Sequence, residues 1–155
     1  MPHAAHRLDI VLVPDDPDRT VDSAELRSLA AAWQGRADLV EGGVGAIRAD
    51  VPCRVTLYGN QLGGFAVRCP DLSQNVVPAF NRAMTAWRAG GARVLPCTAC
   101  GADHPLEALD YAPPAAFAAG AIVLADVNTR SPNAVALTEA AAVLGPVRLI
   151  LRRVG

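Results

Sequence analysis

The chain has 155 residues, of which 52% are hydrophobic and 19% are charged, a composition that can fold around its own core. Its 14 basic and 15 acidic residues give a net charge of −1, which leaves no basic surface for nucleic acids or anionic membranes. No apolar run approaches the roughly 18 residues of a membrane-spanning helix, and the N-terminal residues lack the pattern of a signal peptide. We therefore expect a cytoplasmic protein whose cysteines are reduced thiols or metal ligands.

The chain begins with the patterns of a buried strand and an amphipathic helix. "LDIVLV" (8–13) is almost continuously apolar and rich in β-branched residues, which is typical of a buried strand. Asp22 and Glu25 have the spacing of a capping box, and Gly35 is suited to end the helix that follows. The residues of its apolar stripe recur at helical spacing: Leu26, Leu29, Ala30 and Trp33.

Residues 43–69 predict a meander of short strands. Val55 and Leu57 alternate with more polar residues, so we expect them to face the core together with Cys53, a small core residue. "GNQLGG" (59–64) has the composition of a turn. The next strand, "FAVRC", places three residues on one face: Phe65, Val67 and Cys69.

A second helix is predicted over residues 76–89, with Asn75 as its N-cap. Its expected buried stripe consists of Val76, Phe80, Met84 and Trp87. Residues 92–96 then form a short strand that leads into a pair of cysteines. Asp103 is placed to cap a later short helix, "HPLEALD".

The C-terminal third predicts a strand, a helix and a strand. "AAGAIVLADV" (118–127) is typical of a buried strand, and "VRLILRRV" (147–154) of a half-exposed one with its arginines on the exposed face. Ser131-Pro132 begins the helix between them. Its expected inward residues are Ala134, Leu137, Ala141 and Leu144.

These elements predict one α+β domain over residues 1–155. We expect a mainly antiparallel sheet with about three helices on one face, in a ferredoxin-like arrangement. A zinc-ribbon-like insert containing the cysteines is expected at about residues 68–105.

The cysteine region carries the clearest chemical signal. Cys97 and Cys100 are separated by two residues, and the glycine after them lets the backbone curl round a metal ion. Cys69 ends a strand as the first ligand of a second such turn would, but Leu72 stands where its partner should be and cannot ligate. His104 can complete a Zn²⁺ site of three thiolates and one imidazole; Asp71 is a weaker substitute. The predicted ligand set is Cys69, Cys97, Cys100 and His104.

Three other interpretations of these residues stay open. The region can be a degenerate site held together without metal. A redox pair is less favoured, because Cys97 and Cys100 are predicted in a loop ahead of a helix and not on its first turn. A thiolate nucleophile assisted by His104 is also less favoured, since catalytic partners usually come from distant segments. If His104 has no such role, we expect it to be a surface residue in the first turn of a helix.

The pattern of residues 68–117 resembles that of certain small bacterial proteins of unknown activity. In those, a Cys-Pro-x-Cys turn precedes a helix with a tryptophan, and a Cys-Pro-x-Cys-Gly turn follows it. Here "RCP", Trp87 and "PCTACG" correspond to these features. The sequence departs from the pattern at Leu72, in the second ligand position, and at Thr98, in place of proline. The resemblance implies a zinc-ribbon-like element and no particular substrate.

We therefore expect a non-enzymatic interaction protein, an inhibitor or adaptor, with a structural zinc site and another protein as its partner. The absence of clustered acid–base residues, of a phosphate loop and of a basic face motivates this prediction. The alternative is a small metal- or thiol-dependent enzyme that uses Cys97 or Cys100, with one zinc position open to water.

Overall fold

A computed structural model describes residues 7–60 and 65–154. Over these residues it contains three helices and ten strands in mainly antiparallel sheets, which confirms the predicted α+β class. The chain divides into two compact units, one formed by Met1–Gly63 with Ala115–Gly155 and the other by Gly64–Pro114. The organisation as a single domain over 1–155 stays a prediction. Residues 61–64 of the predicted turn lie outside the described residues.

The elements are numbered in chain order. The helices are α1 (Ser23–Trp33), α2 (Val77–Arg88) and α3 (Ala134–Leu144), with one 3-10 turn at Leu106–Ala108. The strands are β1 (Arg7–Pro14), β2 (Ala46–Asp50), β3 (Thr56–Tyr58), β4 (Ala66–Arg68), β5 (Val94–Pro96), β6 (Asp103–Pro105), β7 (Asp110–Ala112), β8 (Ala116–Ala118), β9 (Ala121–Ala125) and β10 (Val147–Val154).

The first unit contains a four-stranded antiparallel sheet in the order β10-β1-β9-β2. Together with α1 and α3, these strands follow one another along the chain as strand, helix, strand, strand, helix, strand. This order is compatible with the ferredoxin-like arrangement, which stays a prediction. Both helices pack on the same face of the sheet, where Trp33 of α1 and Leu144 of α3 are fully buried.

The strand β1 is nearly continuously apolar because both of its faces are buried. Ile10 and Leu12 pack against the helices. Val11 and Val13 point to the opposite face, where they pack with Tyr58 of the small β3–β8 ribbon. Because successive side chains of β1 point into two different apolar clusters, apolar residues are needed at successive positions.

Two polar residues are nevertheless buried in this sheet, Asp9 of β1 and Arg152 of β10. Asp9 is 0% exposed and Arg152 is 7% exposed. One carboxylate oxygen of Asp9 accepts hydrogen bonds from Arg7 Nε at 3.0 Å and from the Asp126 backbone N–H at 3.1 Å. The other oxygen accepts from an Arg152 NH₂ group at 3.4 Å. The expectation that the arginines of β10 lie on an exposed face is therefore wrong for Arg152, because Asp9 directly opposite provides a buried partner.

The end of α1 is joined to α3 by a cluster of charged side chains. Glu139 accepts hydrogen bonds from both terminal nitrogens of Arg36, at 2.7 and 2.8 Å, and from Trp33 Nε1 at 3.3 Å. Arg36 also donates to both carboxylate oxygens of Asp38. These hydrogen bonds from Arg36 hold the pKa values of Asp38 and Glu139 below their usual range.

Because the folded pKa of Glu139 is lowered, its contribution to stability is present above its unfolded pKa and is lost as the pH falls. We expect the substitution Glu139→Gln to lower the free energy of unfolding at pH 7. The difference from the native protein should shrink below about pH 5, where the carboxyl becomes protonated. Urea unfolding from pH 7 to pH 3, followed by the fluorescence of Trp33 in a Trp87→Phe background, measures it. If the difference in unfolding free energy between Glu139→Gln and the native protein is constant over this pH range, the ionised Glu139 carboxylate does not contribute the expected stability.

The second unit consists of α2 and two short antiparallel pairs, β4 with β7 and β5 with β6. The N-cap residue of α2 is Val76 and not Asn75 as predicted, because the helix begins at Val77. The Asn75 side chain nevertheless accepts a hydrogen bond from the Val77 backbone N–H at 2.9 Å. Phe80 of α2 makes edge-on contacts with Phe65 and Tyr111, with ring centroids 5.9 and 5.8 Å apart. The unit's buried residues include Val67, Val76, Ala79, Ala83, Met84, Leu95, Leu106 and Leu109.

The predicted meander over residues 43–69 is wrong. Its three strands do not pair with one another: β2 pairs with β9, β3 with β8 and β4 with β7. Along the chain, each of these pairs encloses the next one in sequence, and the innermost pair is β5 with β6. Alternation of apolar residues indicates which side of a strand is buried, but it does not indicate the partner strand.

Some smaller expectations also fail. Cys53 is exposed and is not a core residue. Tyr58 is 3% exposed, whereas Val55 and Leu57 are only half-buried, so β3 presents its other face to the core. In α3 the predicted Leu144 is buried and Leu137 is half-buried against the core, but Ala134 is exposed and the other buried residues are Ala136 and Ala140. Trp87 is half-buried.

Within residues 7–60 and 65–154, every helix is too short to cross a membrane.

Candidate metal centre

The first part of the site is a tight turn that follows β4. The Cys69 backbone N–H donates to the Gln74 carbonyl at 2.9 Å, and the Cys69 carbonyl accepts from the Ser73 N–H at 2.8 Å. Ser73 has the left-handed φ of 55° that this turn requires. Cys69 itself is fully buried. The turn therefore fixes the backbone of Cys69 and directs its thiol into the unit.

A second tight turn follows β5. The Cys97 backbone N–H donates to the Ala102 carbonyl at 2.9 Å, and the Cys97 carbonyl accepts from the Gly101 N–H at 3.0 Å. Gly101 has φ of 78°, and a Cβ at this position would meet no atom within 4 Å. Glycine is therefore favoured here for its backbone conformation and not for space. This turn contains both members of the Cys-x-x-Cys pair.

His104 comes from the strand that leaves the second turn. It is the central residue of β6, opposite Leu95 of β5, and only 9% of it is exposed. Its neighbours in β6 are exposed, as alternation along a strand dictates. The short helix predicted over "HPLEALD" is present only as the 3-10 turn Leu106–Ala108, and its N-cap is Pro105 and not Asp103. The placement of His104 in a surface helical turn is wrong. Pairing with β5 makes Asp103 a strand residue and turns His104 inward.

The four predicted ligands meet at one point. One donor atom from each of Cys69, Cys97, Cys100 and His104 lies within 4.8 Å of the others. His104 Nε2 is 3.1 Å from Cys100 Sγ and 3.7 Å from Cys69 Sγ. Ligands at the edges of a tetrahedral zinc site are about 3.5–3.8 Å apart, given zinc bonds of about 2.0–2.3 Å. The observed separations, 3.1 and 3.7 Å with none above 4.8 Å, span these values, so the four atoms are close enough to hold one metal ion after small side-chain movements.

The backbone of the second turn favours thiolate at Cys97. The backbone N–H groups of Cys100 and Ala99 donate to the Cys97 sulfur and lower the pKa of its thiol. The pKa of Cys100 is raised to about 11: the Ala102 N–H opposes this shift, but burial and the nearby Cys69 and Cys97 thiols outweigh it. Sulfurs this close repel as anions, and a bound cation removes that repulsion.

Two further residues predicted near the site lie at its edge. Asp71 Oδ2 is 3.8 Å from His104 Nε2, but the Asp71 side chain is 62% exposed. Leu72 is 51% exposed. Cys53 belongs to the other unit, as part of Met1–Gly63. The four ligands predicted from sequence are thus brought together, and Asp71 lies beside them.

No protein-family model, no curated protein and no solved structure matches this chain.

Proposed function

We propose that Cys69, Cys97, Cys100 and His104 bind one Zn²⁺ ion in a structural site, and that the chain acts by binding another protein. The observation that supports this most is the convergence of the four donor atoms within 4.8 Å. Thiolate and imidazole together are the ligands typical of structural zinc.

The burial of the ligands favours a structural over a catalytic role. A catalytic zinc keeps one position for water, with three protein ligands. Here a fourth donor, His104, is in place, and Cys69, Cys97 and His104 are all at least nine-tenths buried. A zinc-dependent enzyme would need one of these donors to leave the metal. A buried and fully coordinated ion instead stabilises a small unit that then presents a surface to a partner. The thiols would stay reduced in a cytoplasmic location.

Metal analysis of the untagged full-length chain, purified without chelators, tests this proposal. We expect about one zinc per chain, with Cys53 alone open to alkylation until the zinc is removed. Cys53 is the matched control, because it is an exposed cysteine outside the cluster. The metal site is contradicted if the purified chain contains no zinc or if all four thiols are alkylated equally fast. Recovery of the zinc-loaded chain from its own cells without a near-equimolar partner contradicts the interaction role.

A further inference from the structure

The two turns that hold the cysteines have the same backbone structure. In the first, Cys69 donates to Gln74 and accepts from Ser73; in the second, Cys97 donates to Ala102 and accepts from Gly101. Each donor and acceptor in one turn thus has its counterpart 28 positions later in the other.

The equivalence extends beyond these hydrogen bonds. Ser73 and Gly101 occupy corresponding positions and both have left-handed φ values, 55° and 78°. A β-bridge joins Arg68 to Asn75 on either side of the first turn. The corresponding pair in the second turn is Pro96 with Asp103. In sequence, the two segments share only the first cysteine and some apolar positions. It is therefore the backbone conformation that repeats.

In this correspondence Leu72 is the counterpart of Cys100. Cys69 and Cys97 are also counterparts, and both direct their sulfurs to the same cluster. Equivalent backbones place the Cβ atoms of Leu72 and Cys100 in equivalent positions of their turns, although the leucine side chain itself is 51% exposed. The backbone of the first turn therefore has a ligand position at residue 72 that leucine cannot use.

From this we infer that residue 72 and residue 104 are alternative sources of the fourth zinc ligand, and that the leucine at position 72 determines that the site uses imidazole. This rests on the proposed zinc site, and it explains why that site has three thiolates and one imidazole instead of four thiolates. His104 has no equivalent ligand in the first turn, because its counterpart is Val76. The imidazole thus compensates for the missing thiolate.

The test compares zinc affinity and the Co²⁺ absorption spectrum in the full-length chain. We expect His104→Ala to weaken zinc binding by at least about 100-fold, which exceeds the usual 10–100-fold cost of removing an outer-shell partner. Adding Leu72→Cys to His104→Ala should restore affinity to within about tenfold of the native chain. Its Co²⁺ spectrum should show stronger thiolate charge-transfer bands than that of the native chain, as expected for four sulfurs in place of three.

The matched control adds a cysteine to the same turn at Gln74, the counterpart of Ala102. His104→Ala with Gln74→Cys should stay as weak as His104→Ala alone. If the Leu72→Cys double variant binds no better than this control, position 72 is not a ligand position and the inference is wrong. His104→Gln in place of His104→Ala retains more side-chain volume if the alanine variant does not fold. A native chain that binds no zinc overturns the proposed function itself, which separates the two failures.

Discussion

Replacing Cys97 with serine is expected to abolish stoichiometric zinc binding and to unfold the unit formed by Gly64–Pro114. A structural zinc contributes about 10–16 kcal/mol of apparent binding free energy in small metal-dependent units, and that energy is coupled to folding. Over its described residues, 65–114, this unit has short strands, one 3-10 turn and one α-helix, Val77–Arg88, so its apolar core is small. Serine retains the shape of cysteine but is a poor zinc ligand.

The tryptophans allow this prediction to be measured in each unit separately. Trp87 reports on the second unit and Trp33 on the first, so a Trp33→Phe background isolates the signal of interest. We expect the Trp87 emission of the Cys97→Ser variant to shift to the red, and we expect the same shift in the native chain after chelation. Cys53→Ser is the control and should change neither zinc content nor emission. A Cys97→Ser variant with native emission and one bound zinc contradicts the site.

Replacing Asp9 with alanine is expected to cost about 3–5 kcal/mol of unfolding free energy in the first unit. The carboxylate is 0% exposed, and its removal leaves Arg152 buried without the acceptor that faces it. It also removes the acceptor of the Asp126 backbone N–H. Breaking a buried ion pair on one side costs more than the pair contributes, because a desolvated charge is left without a partner.

A surface ion pair between Arg148 of β10 and Asp15, the residue after β1, gives a matched control. Asp15 and Arg148 are 2.9 Å apart, but their side chains are 56% and 47% exposed. Asp15→Ala should therefore cost less than about 1 kcal/mol. The double variant Asp9→Ala with Arg152→Leu should recover much of the loss, since no buried charge remains. Urea unfolding monitored by Trp33 fluorescence in a Trp87→Phe background measures all three. Equal losses for Asp9→Ala and Asp15→Ala contradict this account of the buried pair.

The sequence was most informative where the signal is local. The N-cap of α1 was predicted correctly, since the Asp22 side chain accepts from the Ala24 and Glu25 backbone N–H groups at 2.9 and 3.0 Å. The four candidate metal ligands were also predicted correctly as a cluster, because the chemistry of cysteine and histidine restricts the choice of partners. The N-cap depends on residue type at short spacing, whereas the cluster depends on residue type alone for Cys69, which lies 28 positions before Cys97.

Strand pairing and the burial of individual polar residues could not be predicted from the local sequence. Asp9 interrupts an apolar run, but its burial depends on Arg152, which lies near the other end of the chain. His104 belongs to a strand of only three residues, too short for any periodicity to show. The sequence indicated that Cys69 begins a turn like that of Cys97 and Cys100. It did not indicate the matching hydrogen bonds and φ values, because Ser73 stands where the second turn has Gly101.

The coordination of zinc in the native full-length chain is the most direct test of the central claim. X-ray absorption at the zinc edge should show three sulfur ligands at about 2.3 Å and one nitrogen at about 2.0–2.1 Å, with the scattering pattern of an imidazole ring. That result supports a closed site formed by Cys69, Cys97, Cys100 and His104. Three sulfurs with a light ligand that lacks imidazole scattering would indicate bound water and an open position. Such a spectrum would contradict the structural site and favour an enzyme.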